Sequence, residues 1–178
     1  MILDYKDIND LNRYKIMSGT VIPRPIAWIV TQDNGVLNAA PFSYFIPISS
    51  NPALLIVAIG QKDDGSPKDS LANILKTKKA TICFVNKENV DQVQKCAMQL
   101  GKDESEIEKF EIEVKEIMDG FPPMIASSQS ALFCEYYDTY EIPGDTTPVV
   151  LELKYQFIED DRINERNHIN VENIGRCG

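Results

Sequence analysis

Apolar residues along this chain fall into short runs bounded by polar or turn-forming residues, a pattern of strands more than of long helices. "AWIVT" (27–31) predicts a strand, and the Asn-Gly of "QDNG" (32–35) predicts a tight hairpin turn after it. "VLNAAPFSYFIPI" (36–48) returns from that turn. Pro41 and Pro47 have no N–H for a ladder, so this segment must kink, bulge or run along a sheet edge. "ALLIVAIG" (53–60) is a continuous apolar run and predicts a buried strand ending at Gly60. After a polar loop, Ser66 or Asp69 is placed to cap a helix over 70–79 with Leu71, Ile74 and Leu75 on one face. "ATICFVN" (80–86) predicts strand again.

Residues 87–110 read as helical, with Val90, Val93, Ala97 and Leu100 marking a face and "DESEIEKF" continuing as a charged second piece. "FEIEVKEI" (110–117) alternates as a strand does. Two long strands, "SALFCEYYDTYEI" (130–142) and "PVVLELKYQFIED" (148–160), follow a "GFPP" turn and are joined through "PGDT". Roughly six or seven strands with few intervening helices predict a mainly antiparallel barrel with helices packed outside it. No internal repeat or low-complexity segment interrupts the pattern, and 178 residues at 43% hydrophobic suit one domain, 1–178.

Charge narrows the partners. With 27 acidic and 18 basic side chains the formal charge is -9, so a groove tracking a polyanion would work against the field of the whole molecule, and nucleic acid is not expected. No apolar stretch approaches the roughly 20 residues that span a bilayer. "MILDYKDIND" has neither a basic start nor an apolar signal core, so a cytoplasmic chain without membrane contact is expected. Cys83, Cys96, Cys134 and Cys177 are scattered without a C-x-x-C, and Cys83 and Cys134 sit in apolar runs, which predicts buried free thiols. His168 is the only histidine, so a mixed Cys/His zinc site or a Cys-His dyad has no motif spacing to support it, and no metal is expected.

The common catalytic motifs are missing. There is no G-x-G for a dinucleotide fingerprint, and "GQKDDGSP" (60–67) carries Ser66 where a phosphate loop needs lysine. The carboxylates of 103–116 lie along a charged surface with no apolar pocket signalled around them. What remains is a set of small, polar, backbone-exposing residues: Asn38, Ala39, Ala40, Pro41, Ser43, Ser49, Ser50, Lys68, Asp69, Ser70 and Asn73. Small side chains let a flat ligand approach the main chain, and serines with a lysine near a helix N-terminus suit a phosphate. On pattern alone, "NAAPFSYF" reads first as a kinked strand and "KDS" as a helix cap, with a ligand site the second reading.

The run "VIPRPIAWIVTQDNGVLNAAPFSYF", followed by "SSNP", "KDSLANI", "ATICFVN", "ESEIEKF", "SALFCEY" and "PGDTTPVVLELKYQF", resembles the flavin reductase-like family of FMN-binding split barrels over nearly the whole chain. That family includes flavoredoxins and the reductase partners of two-component monooxygenases. The resemblance implies a six-stranded antiparallel split β-barrel of Greek-key type with a few flanking helices. It implies an FMN cofactor, with Asn38 to Tyr44, including Phe42, passing the flavin ring and Ser49 and Ser50 close by. Lys68, Ser70 and Lys109 become candidates for the ribityl phosphate, with Asp69 and Asn73 beside them. Arg24, between two prolines, is a candidate for flavin or phosphate, and equally for a surface ion pair.

The same resemblance implies a homodimer with flavin at the subunit interface, and an NAD(P)H:flavin oxidoreductase in which NADH or NADPH is a transient hydride donor. No side chain is then assigned as catalytic, because the flavin carries the chemistry. A non-enzymatic FMN electron carrier, fed by a protein donor, is the alternative; a monooxygenase or other redox partner would take the electrons. Two departures bear on this. Many relatives carry a histidine near the late hairpin where this chain has Thr146, and "NIGRCG" resembles the start of a family segment that usually runs on, which implies a chain either naturally short or truncated.

Overall fold

The structure, a computed structural model, describes residues 1–101 and 104–177. Its central element is a seven-stranded sheet, antiparallel at every pairing, in the order β3-β2-β6-β9-β10-β5-β4. The strands are β2 (Ala27–Asp33), β3 (Val36–Phe42), β4 (Phe45–Ser50), β5 (Ala53–Gly60), β6 (Lys79–Phe84), β9 (Ser130–Thr139) and β10 (Thr146–Ile158). Four short pieces, β1 (Arg24–Pro25) with β11 (Gly175–Arg176) and β7 (Val114–Lys115) with β8 (Met124–Ile125), form two-stranded ladders beside it. The count is seven where six were expected, because the segment 36–48 makes two strands rather than one.

That division follows from its prolines. Pro41 lies on β3 and Pro47 on β4, and these are the two edges of the sheet, where a residue without an N–H leaves no ladder bond broken. The register of β4 slips between Pro47 and Ser49, so a bulge accompanies the second proline. All seven strands and one helix, α2 (Asp69–Thr77), send residues into one buried cluster that includes Ile29, Phe42, Phe45, Val57, Ile74, Ile82, Leu132 and Leu151. A sheet whose two edges share one interior is curled into a barrel left open between β3 and β4, the split barrel. Tyr44 O, in the short link between the edges, accepts from Ala58 N of β5 at 2.8 Å and holds the seam together.

The outer face of the sheet is covered too, which explains why "AWIV" is apolar without alternation. Ala27 and Ile29 face the interior, whereas Trp28 and Val30 join Val85, Val93, Ile107, Ile112, Met124 and Phe133 in a second buried cluster. The Asn-Gly hairpin forms as its sequence requires, with Asn34 at φ 49° and Gly35 at φ 85°.

Several elements differ from their expected form. Residues 87–110 are not one helix: the structure shows α3 (Val90–Lys95) and α4 (Glu106–Lys109), and Lys102 and Asp103 lie outside the described residues. The charged second piece is one turn, started by Ser105 Oγ accepting from Glu108 N at 3.3 Å. "FEIEVKEI" contributes only the two residues of β7, because its sole partner is the equally short β8. α2 begins after Lys68 with no side-chain cap, so neither Ser66 nor Asp69 caps it, and Leu75 stays exposed while Leu71 and Ile74 are buried. A further helix, α1 (Asp10–Thr20), capped by Asn9, buries none of its residues, which is why no apolar periodicity announces it.

Candidate functional site

A cleft of about 480 Å³ opens at the seam of the barrel, within the usual range for small-molecule sites. The edge strand β3 and its link supply one wall through Asn38, Ala40, Pro41, Phe42, Ser43 and Tyr44. Ala58 and Gly60 of β5 and Thr146 at the start of β10 form the floor, and the N-terminus of α2 adds Lys68, Asp69 and Ser70. The segment 96–100 closes the far side, with Glu106, while Tyr14 of α1 and Arg176 of β11 stand at the rim.

Nine of the expected site residues therefore meet in one place: Asn38, Ala40, Pro41, Phe42, Ser43, Tyr44, Lys68, Asp69 and Ser70. Six do not line it. Ala39 is fully buried and points to the outer cluster, as strand alternation from Ala40 demands. Ser49 and Ser50 lie at the far end of β4 opposite Leu54 and Ala53, where Ser49 Oγ accepts from Asn51 N at 3.2 Å and serves the turn. Asn73 donates to Thr31 Oγ1 at 3.0 Å within the α2–β2 contact. Arg24 is buried behind the rim, donating to the carbonyls of Ser18 and Val21, with its guanidinium 5.5 Å from the Tyr44 ring. It is neither a surface ion pair nor a lining residue; it fastens the end of α1 to the barrel. Lys109 is corrected as well: it pairs with Glu104 at 3.3 Å on the surface, outside the cleft.

Charge in the cleft is mixed. Lys62 is paired with Asp69 at 2.8 Å. Among the described residues, Lys68 and Arg176 have no carboxylate within 4 Å. Lys68 Nζ lies 5.9 Å from the Phe42 ring centre, at the uncapped first turn of α2, where free N–H groups and the helix dipole also favour an anion. Arg176 reaches the rim because β11 pairs with β1, and that ladder requires glycine before it: a Cβ on Gly175 would stand 2.9 Å from the Arg24 carbonyl oxygen.

Glu106 is the residue that charge patterning hid. It stands in the most acidic part of the sequence, yet it is 4% exposed, and its carboxylate accepts from Asn38 Nδ2 at 2.9 and 3.1 Å and from Ala39 N at 3.0 Å. Ala39 lies on an edge strand, so Glu106 satisfies a donor the sheet leaves free. Burial pushes its carboxyl above the usual range; the hydrogen bonds from Ala39 and Asn38 pull the other way, and the charge of Asp69 adds to the rise.

The folded chain thus binds this proton more tightly than the unfolded chain. Stability from this group is highest in acid and falls as pH rises from the unfolded value, about 4.3, through the raised folded value. The melting temperature of the parent minus that of Glu106→Gln is expected to decline over that rise; a flat or climbing difference contradicts it. Glu104, Asp64 and Glu135, whose carboxyls are held low, are common to both proteins and cancel.

Of the cysteines, Cys96 alone lines the cleft, and burial pushes its thiol up to about 12, as it does for Cys83 and Cys134. These are packing residues without thiolate reactivity. Cys177 is exposed.

A chain with this seam cleft and barrel belongs to a known class. The sequence model of the flavin reductase like domain family matches residues 17–166, and the chain is a member of that family. An uncharacterized protein of Halalkalibacterium halodurans is 31% identical over 145 residues, 81% of this chain and 69% of its own length. Among solved structures, component B of nitrilotriacetate monooxygenase from Bacillus cereus shares the fold with a TM-score of 0.89 at 22% identity, over 95% of this chain and 86% of that one. An FMN-binding protein from Thermus thermophilus does so with a TM-score of 0.76 at 16% identity, over 95% and 87%.

Proposed function

We propose that the chain is an FMN-binding flavoprotein, acting as a single unit and working as an NAD(P)H:flavin oxidoreductase. The observation that carries this reading is the cleft: small residues, Ala40 in its wall and Ala58 and Gly60 in its floor, with two cations, Lys68 and Arg176, that have no carboxylate within 4 Å among the described residues. The residues fit the group. A flat ring needs a wall without bulk, and a phosphate dianion needs charged donors close to one another. Tyr44 lines the cleft with its hydroxyl buried and without a partner, and burial raises its pKa, so it is available as a donor to a bound molecule. Two cations lining one cleft, and no fingerprint for an adenylate, favour FMN over FAD.

Bound FMN supplies the electron chemistry. The chain binds the phosphate through Lys68, Arg176 and the first turn of α2, orients the ring along Ala40 to Tyr44, and leaves one side open for a donor. Thr146 lies in the cleft floor, its Oγ1 donating to Asp145 Oδ1 at 3.2 Å. A small hydroxyl there, where many relatives carry an imidazole, is the specific feature that favours the second reading, an electron carrier fed by a redox protein. Anaerobic mixing of the FMN-loaded chain with NADH or NADPH separates the two: rapid bleaching of the flavin absorbance supports the reductase. Bleaching by dithionite but by neither nicotinamide overturns the reductase reading and leaves the carrier.

The fold family and the exposed apolar residues Ile46 and Ile48 on the edge strand β4 support a homodimer. Among the described residues no helix is long and apolar enough to cross a membrane. We place the protein in the cytoplasm, with a monooxygenase or another redox protein as its acceptor.

A further inference from the structure

A line of hydrogen bonds runs from α2 to α4 along the cleft wall, and every donor in it points one way. Asn73 Nδ2 donates to Thr31 Oγ1 at 3.0 Å, and Thr31 Oγ1 donates to Asn38 Oδ1 at 3.4 Å. Ser70 Oγ donates to the same Asn38 Oδ1 at 2.7 Å, and Asn38 Nδ2 donates to Glu106. The direction is imposed by chemistry. An ionised carboxylate only accepts, so the nitrogen of the Asn38 amide must face Glu106 and its oxygen must face Ser70. The Ala39 N–H also donates to Glu106, and among the described residues the carboxylate donates no hydrogen bond. Thr31, Asn38, Ser70 and Glu106 are all buried, so none of these groups can turn to water instead.

The geometry points to Glu106 as a positioning residue that fixes the Asn38 amide, commits the Ser70 proton inward, and leaves Ser70 facing the cleft as a hydrogen-bond acceptor for a ligand hydroxyl. This rests on the flavin reading and refines it. A phosphate dianion only accepts, so of the flavin's donors, the ring N3–H and the ribityl hydroxyls, the hydroxyls that adjoin the phosphate are assigned to Ser70, which neighbours Lys68. The phosphate belongs to Lys68 and Arg176. The assignment of Ser70 to phosphate, which its place beside Lys68 in the sequence suggested, is replaced.

The test uses the full chain and three probes, FMN, riboflavin and lumiflavin, which has the ring but no ribityl chain. Ser70→Ala is expected to weaken FMN and riboflavin by the same factor, roughly fivefold for one neutral hydrogen bond, and to leave lumiflavin unchanged. Glu106→Leu frees the Asn38 amide and is expected to give the same pattern, whereas Glu106→Gln keeps one oxygen for Asn38 and Ala39 and restores parental binding. Loss of FMN affinity alone in Ser70→Ala would overturn the inference, because Ser70 would then be a phosphate donor. Unchanged binding of all three probes by Ser70→Ala, or by a folded Glu106→Leu, overturns it as well.

If the parent binds no flavin, the functional reading fails and the ribityl assignment with it. The positioning role is then judged on the flavin-free chain by nuclear magnetic resonance. The Asn38 side-chain amide protons should exchange slowly in the parent and Glu106→Gln and fast in Glu106→Leu. Equal exchange in the three proteins contradicts the role of Glu106.

Discussion

Trp28→Ala is expected to destabilise the chain by about 3–5 kcal/mol, the usual cost of emptying a large aromatic site in a core. Trp28 is fully buried on β2, between Pro41 of β3 and Cys83 of β6 in register, and packs into the cluster that covers the outer face of the sheet. Its in-register neighbours are fixed by ladders on both sides, which limits collapse of the cavity. The indole N–H has no oxygen partner, so it contributes no oxygen-accepted hydrogen bond to this loss. Trp28→Phe keeps most of the ring area and should cost well under half as much. Denaturant unfolding of the three proteins checks both steps, and equal midpoints for parent and Trp28→Ala would show that the outer cluster is not a cooperative part of the barrel.

The second large effect belongs to the cleft. Replacing Lys68 and Arg176 together by alanine is expected to weaken FMN binding by about a hundredfold or more, since a charge-assisted hydrogen bond contributes roughly 1.5–3 kcal/mol and each 1.4 kcal/mol is a factor of ten. Riboflavin, without the phosphate, should lose less than about threefold. Parallel titrations with the two flavins read this directly. Because Lys68 and Arg176 are both exposed, the fold should tolerate the change. A loss shared equally by both flavins would show that these cations hold the ring or the structure and not a phosphate.

How far the sequence reveals these features depends on whether a property is local. The Asn-Gly hairpin and the edge positions of Pro41 and Pro47 are set by backbone chemistry at single residues, and the linear pattern exposes them, whereas the cleft wall between Asn38 and Tyr44 is signalled by the family resemblance. Residues 87–110 are different. Val90 and Val93 share a helical period, but the chain turns after Lys95, and the later apolar residues Ile107 and Ile112 pack on the outer sheet face from a separate turn. Helix α1 escapes notice because it buries nothing.

At the site, Lys62, Arg176, Thr146 and Glu106 reach the cleft from four distant points of the chain. Only the position of Thr146 carried a signal, through the family pattern. Glu106 was legible in principle from Ser105, an N-cap residue that starts a helix turn and so fixes which acidic side chain points inward. Lys109 shows the converse: the resemblance made it a phosphate candidate, and the tertiary structure pairs it with Glu104.

The central claim is that the seam cleft is an FMN site whose phosphate corner is built by Lys68 and Arg176. Equilibrium titration of the flavin-free chain with FMN and with riboflavin, followed by flavin fluorescence, tests it most directly. The account predicts saturation at one FMN per chain, with FMN bound at least about tenfold more tightly than riboflavin, the minimum that one charged phosphate contact supplies. No uptake of FMN, or equal affinity for the two flavins, would contradict it.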